Sequence, residues 1–156
     1  MSSEIQLVHL LKEKGLTITT AESITGGMLA STIIKVPGAS AVINEGVVTY
    51  SAAAKVKYLG VSQELIDLKG VICPDVAREM AEGAAKNAEA DVAISTTGNA
   101  GPDVLEFKPV GRVYIAVCIN GITTTSEHTF SGERESIRKQ TVNAALRECV
   151  KRLENI

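Results

Sequence analysis

The sequence predicts an α/β fold in which helices cover both faces of a mixed sheet. Three observations lead there: short β-branched runs alternate with amphipathic helical stretches, Gly- and Pro-rich turns punctuate them, and one late Asn-Gly hairpin signal demands an antiparallel pair. Ser3 followed by Gln6 predicts a capping box, and Ile5, Val8 and Leu11 a helical stripe that Gly15 stops. Thr17–Thr20 reads as a buried strand. The segment Glu22-Ser23-Ile24-Thr25-Gly26-Gly27 then leads into a helix over Met28–Ile34, ended by Pro37-Gly38. Ala41–Tyr50, rich in Val and Ile, predicts another strand. Ser51 and Ser62 are positioned to cap two short helices, and Pro74-Asp75 opens a longer one to about Ala88. Asp91–Ser95 is expected as a strand running into the turn-rich Thr96–Pro102. Gly111–Ile119 and Ile122–Phe130 flank Asn120-Gly121 as a hairpin. A final helix, roughly Arg134–Leu153, aligns Ile137, Thr141, Ala145, Cys149 and Leu153.

Composition narrows the function. The 156 residues are expected to form a single domain over 1–156, with 45% hydrophobic and 22% charged residues, as in ordinary globular chains. A formal charge of -2 argues against nucleic acid as a partner. No apolar run has the length of a membrane span, and the N-terminus lacks a signal pattern, so no membrane association and a cytoplasmic location are expected. Three separated cysteines and two histidines offer no metal template and little material for a His-based triad, so no metal and no cofactor are expected.

Chemistry in open α/β sheets gathers at the loops leaving the carboxyl ends of strands. Ser23 and Thr25, with Gly26 and Gly27, sit in one such loop. They are either helix caps in a plain turn or a nucleophile and anion-binding groups beside free helix N–H donors. Thr97 and Gly98 belong to a second loop of the same kind. Lys55, near the start of a helix, is either an exposed lysine or a desolvated base, and Tyr50 is either core or site. Arg134 and Arg138, one helical turn apart, suit phosphate recognition or surface pairing with Glu133 or Glu135.

Taken in order, these stretches resemble the CinA C-terminal-domain family, the nicotinamide-nucleotide amidohydrolases. The resemblance is carried by Thr20–Gly27, Pro37–Ser40, Gly46–Ser51 with Lys55, Leu59-Gly60-Val61, Gly98–Pro102, Lys108–Gly111 and Phe130–Arg134. It implies a three-layer αβα sandwich with a mixed, mostly parallel sheet and a C-terminal hairpin followed by a helix. It also implies self-association into a homo-oligomer. The implied reaction is hydrolysis of the carboxamide of nicotinamide mononucleotide, a small-molecule nucleotide substrate, to nicotinic acid mononucleotide and ammonia. Carried over by position, Ser23, Ser40, Tyr50 and Lys55 are the expected catalytic residues. Thr25, Gly26, Gly27, Thr97, Gly98 and Arg134 are expected to bind substrate. The nucleophile is open between Ser23 and Ser40.

Three departures stand beside these matches. Ile24 occupies a position where the family often has cysteine, Asn99 replaces an apolar residue, and Val104-Leu105-Glu106-Phe107 replaces a more polar, Gly-rich stretch. The larger fused form of the family carries a further N-terminal domain similar to molybdopterin-binding proteins, which is not expected within residues 1–156. The alternatives to an amidohydrolase are a catalytically silent nucleotide-binding protein and an interaction protein associated with competence or DNA damage.

Overall fold

A computed structural model describes residues Met1–Ile156. In chain order the elements are α1 (Ser3–Lys14), β1 (Ile18–Glu22), α2 (Met28–Ile34), β2 (Val47–Val48), α3 (Ala52–Leu59), α4 (Gln63–Lys69), α5 (Pro74–Ala88), β3 (Val92–Gly98), β4 (Arg112–Ile119), β5 (Ile122–Thr129) and α6 (Arg134–Glu154). The five strands form one sheet in the order β2-β1-β3-β4-β5. β1 is parallel to both β2 and β3, whereas β4 is antiparallel to β3 and to β5. Four of the five strands therefore point the same way, and the sheet is mixed.

Strand alternation sorts the side chains into two cores. Ile18, Val92, Ile94, Val113, Ile115, Val117 and Ile119 face α1, α2 and α6. The opposite face is lined by smaller residues, Ala21, Ala93, Ala116 and Cys118 among them, against Val76, Ala77, Met80 and Ala81 of α5. Small residues on both sides allow close helix-on-sheet packing. The result is a three-layer αβα sandwich. On the α5 side, Gly83 passes the end of α3 so closely that a Cβ there would lie 1.9 Å from the Leu59 carbonyl oxygen. That approach fixes α3, the helix that carries Lys55. No helix is long and apolar enough to cross a membrane.

Several local readings hold. Ser51 and Ser62 cap α3 and α4 through their side chains, Pro74 starts α5, and Asn120-Gly121 turns the β4–β5 hairpin with positive φ at both residues. Four need correction. The capping box at Ser3–Gln6 does not form: Ser2 holds the N-cap position and makes no side-chain cap bond. Ile5 is exposed, and Leu7 joins Val8 and Leu11 on the buried stripe. The strand expected over Ala41–Tyr50 shrinks to Val47–Val48 plus one bridge from Ile43 to Ile18. Ala39–Ala41 is wound into a 3-10 turn, and Thr19 Oγ1 donates to the Glu45 carbonyl beside the ladder, so this edge pairs only in patches. Conversely, β3 continues through Thr96, Thr97 and Gly98, because β4 supplies a full antiparallel partner for residues that look turn-like alone.

Candidate active site

The parallel register of β1 and β3 decides where the site lies. Glu22 pairs with Thr96, so the two loops expected from sequence leave the sheet side by side, with Ser23 N–H donating to the Thr96 carbonyl at 3.1 Å. Between them lies a cavity of about 460 Å³, whose walls include Ser23, Ile24, Tyr50, Thr97, Gly98 and Arg134.

Lys55 lies beneath Ser23. Its side chain is 0% exposed, and its Nζ donates to Ser23 Oγ at 2.9 Å and to the Thr49 carbonyl at 2.7 Å. The helix start set by Ser51 aims this lysine back at the end of β1. Burial pushes the ammonium down from 10.5 to about 8, against the opposing pull of Glu106. Ser23 therefore has on one side an ammonium that gives up its proton far more readily than an ordinary lysine, and the cavity on the other. This is the arrangement a serine nucleophile needs from an adjacent base.

The α2 N-terminus is not the free anion site that sequence suggested. The carboxylate of Glu22, fully buried, accepts from the N–H groups of Gly27 (3.2 Å), Leu29 (2.8 Å) and Ala30 (3.0 Å). It also accepts from Thr25 Oγ1 at 2.6 Å. The protein thus supplies its own anion where a phosphate would otherwise bind. Thr25 lies behind the cavity, bonded to Glu22 and, at 2.8 Å, to Thr96 Oγ1. Gly26 and Gly27 shape the turn: φ is +57° at Gly26, and a Cβ there would crowd the Arg138 guanidinium at 3.1 Å. Glu22→Gln is expected to destabilise the fold by about 2–4 kcal/mol, because an amide NH2 would face helix N–H donors. Denaturant unfolding measures it, and an unchanged midpoint would refute the anchoring role.

The two arginines separate. Arg138 donates to the carbonyls of Ile24 (3.1 Å) and Thr25 (3.0 Å) and so clamps the first loop from α6. Arg134 alone lines the cavity, donating to Tyr50 Oη at 3.0 Å and to the Gly101 carbonyl at 2.7 Å. Tyr50 is 65% exposed and therefore belongs to the rim, not the core. Thr97 and Gly98 are on the wall, with Thr97 Oγ1 donating to the Val71 carbonyl at 2.8 Å. Ser40 is elsewhere: it is exposed on the Ala39–Ala41 turn, whose following residues pair with Ile18 at the start of β1, the opposite end of the sheet.

With this geometry in place, the comparisons with known proteins agree with one another. The family model for the CinA C-terminal domain matches residues 2–153. The chain belongs to the CinA family. A relative from Clostridium perfringens that bears the name competence-damage inducible protein is 49% identical over 148 residues, which is 94% of this chain and 36% of the relative. A relative of the same name from Alkaliphilus oremlandii is 48% identical over 88% of this chain and 34% of its own length. The chain thus spans about a third of the curated relatives it matches. Among solved structures, a CinA superfamily protein of Klebsiella pneumoniae superimposes with a TM-score of 0.96 at 32% identity, covering 99% of this chain and 97% of that one. One from Escherichia coli gives 0.94 at 36% identity, covering 96% and 87%. This CinA-family fold is therefore met in chains of similar length as well as inside longer ones.

Sequence reasoning gave Glu22 and Thr49 no role in the site, placed Thr96 in a ligand loop, and read Arg138 as a phosphate-binding or surface-pairing residue, where the structure makes all four part of the site's framework. The signal for Glu22 was present, a carboxylate in the segment leading into a helix start, but the hydroxyls and glycines beside it drew the anion-binding reading instead. Nothing local marked Arg138 as a clamp, since its partners lie more than a hundred residues away.

Proposed function

We propose that this CinA-family protein hydrolyses the carboxamide of nicotinamide mononucleotide, releasing ammonia. One observation carries the reading: a cavity-lining serine hydroxyl 2.9 Å from the Nζ of a fully buried lysine. Ser23 Oγ attacks the carboxamide carbon as Lys55, in its free-amine form, takes the hydroxyl proton. The C–N bond then breaks and Lys55 returns the proton to the leaving nitrogen, giving ammonia and a seryl ester. Water, deprotonated by the same amine, hydrolyses the ester and regenerates Ser23. The Ile24 N–H, next to Ser23 on the wall, donates to no acceptor within the chain and is available to the developing oxyanion.

Arg134 is the cation that the cavity offers to the phosphate, since Glu22 occupies the helix terminus. Tyr50, bonded to Arg134, orients it. The competence-damage name of the relatives suggests an interaction role, but a formal charge of -2 supplies no evident polyanion-binding surface. The test is ammonia release from nicotinamide mononucleotide by the purified protein, with Arg134→Ala alongside. Release is expected from the wild type, and in the variant KM should rise about 10–100-fold with kcat less affected. Tight binding without ammonia would replace this reading with a silent nucleotide-binding protein.

A further inference from the structure

Residues Leu105–Lys108 form a tight turn on the cavity wall, closed by Lys108 N–H donating to the Leu105 carbonyl at 2.8 Å. Its two central residues, Glu106 and Phe107, have φ of 53° and 59°. Two consecutive left-handed residues normally call for Asn or Gly, and long side chains there strain the backbone. What the strain secures is the placement of one carboxylate. Glu106 Oε2 and Oε1 accept from the N–H groups of Val71 and Ile72, both at 2.9 Å, and all three residues line the cavity. Strain held at a cavity wall by over-determined contacts is a mark of a functional position. The charge of Glu106 is felt at Lys55, so it acts on the neighbourhood of Ser23. Asp103 also lines the cavity, but no backbone N–H clamps its carboxylate.

The cavity therefore has a fixed negative charge on its wall and the Arg134 guanidinium at its edge. A matching ligand is dipolar: anionic where it meets Arg134 and cationic where it meets Glu106. We infer that Glu106 selects for the charge of the ring that bears the amide, so that the cavity favours N-substituted pyridinium carboxamides over neutral rings of the same shape. The inference rests on the amide-nucleotide reading of the same site and adds to it the reason an oxidised, positively charged ring is preferred. A carboxylate already held by two N–H donors need not reorganise when the cation arrives. Rejection of the neutral analogue follows, because that ligand desolvates the carboxylate without compensating it.

Calorimetry with nicotinamide mononucleotide and its 1,4-dihydro form tests this, since the two share carboxamide, ribose and phosphate and differ in ring charge. Ser23→Ala is included throughout to keep the ligand intact. The protein with Glu106 is expected to bind the oxidised form more tightly, and Glu106→Gln to narrow that preference about ten-fold. Lys108→Met removes another tie of the same turn, Nζ to the Ile72 carbonyl at 3.0 Å, while leaving the Glu106 charge. It should weaken both ligands alike. If Glu106→Gln also weakens both alike, or leaves the preference unchanged, Glu106 is a structural clamp only and the inference fails. Ammonia release by the wild type is assayed in parallel. Release with no charge preference would sink this inference alone, a charge preference with no release would sink the hydrolytic reading alone, and binding of neither form would sink both.

Discussion

Lys55→Met is expected to lower ammonia release from nicotinamide mononucleotide by about 10²–10⁴-fold, the usual loss when a positioned base is removed. In the proposed mechanism the free amine is the active form, so kcat/KM should climb with pH up to about 8 and then level, following the lowered lysine. The variant should lack that limb. A stability signature accompanies it. Lys55 has a folded pKa of about 8 against 10.5 in the ordinary state, so the unfolded chain binds the extra proton between those values. Its penalty on folding is full below pH 8 and is relieved as the pH rises toward 10.5. The wild type should therefore gain about 3 kcal/mol relative to Lys55→Met across that interval. Urea unfolding of both proteins at a series of pH values measures the difference. Parallel stability curves would show that the lysine is not desolvated, and near-wild-type turnover in the variant would remove it from the mechanism.

Ser23→Ala should reduce ammonia release by at least about 10³-fold, whereas Ser40→Ala should stay within about two-fold of wild type. The contrast follows from position: Ser23 Oγ touches both the cavity and Lys55 Nζ, and Ser40 lies exposed at the far end of the sheet. Folding is not expected to suffer in Ser23→Ala, because Lys55 keeps its bond to the Thr49 carbonyl and the loop keeps its Glu22 anchor. Rapid quenching and mass spectrometry during turnover should locate the acyl adduct on the peptide containing Ser23. An adduct on Ser40, or loss of activity in Ser40→Ala, would reverse the assignment and require a site assembled differently from the cavity between β1 and β3.

Local chemistry made much of the fold legible. Ser51, Ser62, Pro74 and Asn120-Gly121 act within a few residues of themselves, through a side-chain cap, a fixed φ or a tight turn. The α6 stripe of Ile137, Thr141, Ala145, Cys149 and Leu153 was equally plain, since a 3.6-residue period survives any tertiary context. The misreadings fall where a partner decides. Thr96–Gly98 has turn composition but is strand because β4 lies beside it, and Ala41–Tyr50 has strand composition but pairs only at Val47–Val48 and Ile43.

The candidate site divides along the same line. By itself the sequence determined which residues carry reactive groups and that a hydroxyl- and glycine-bearing loop follows the first strand, because residue type and periodicity are local properties. Tertiary structure alone decided their use. The parallel register of Glu22 with Thr96 joined the loops, and the approach of Gly83 to Leu59 set the helix that buries Lys55 behind Ser23. The same packing assigned Glu22 to the helix terminus, sent Arg138 to the loop carbonyls and left Arg134 to the cavity. Desolvation and hydrogen-bond partnership depend on neighbours distant in the chain, so a lysine's pKa and an arginine's role emerge only when the layers close over them.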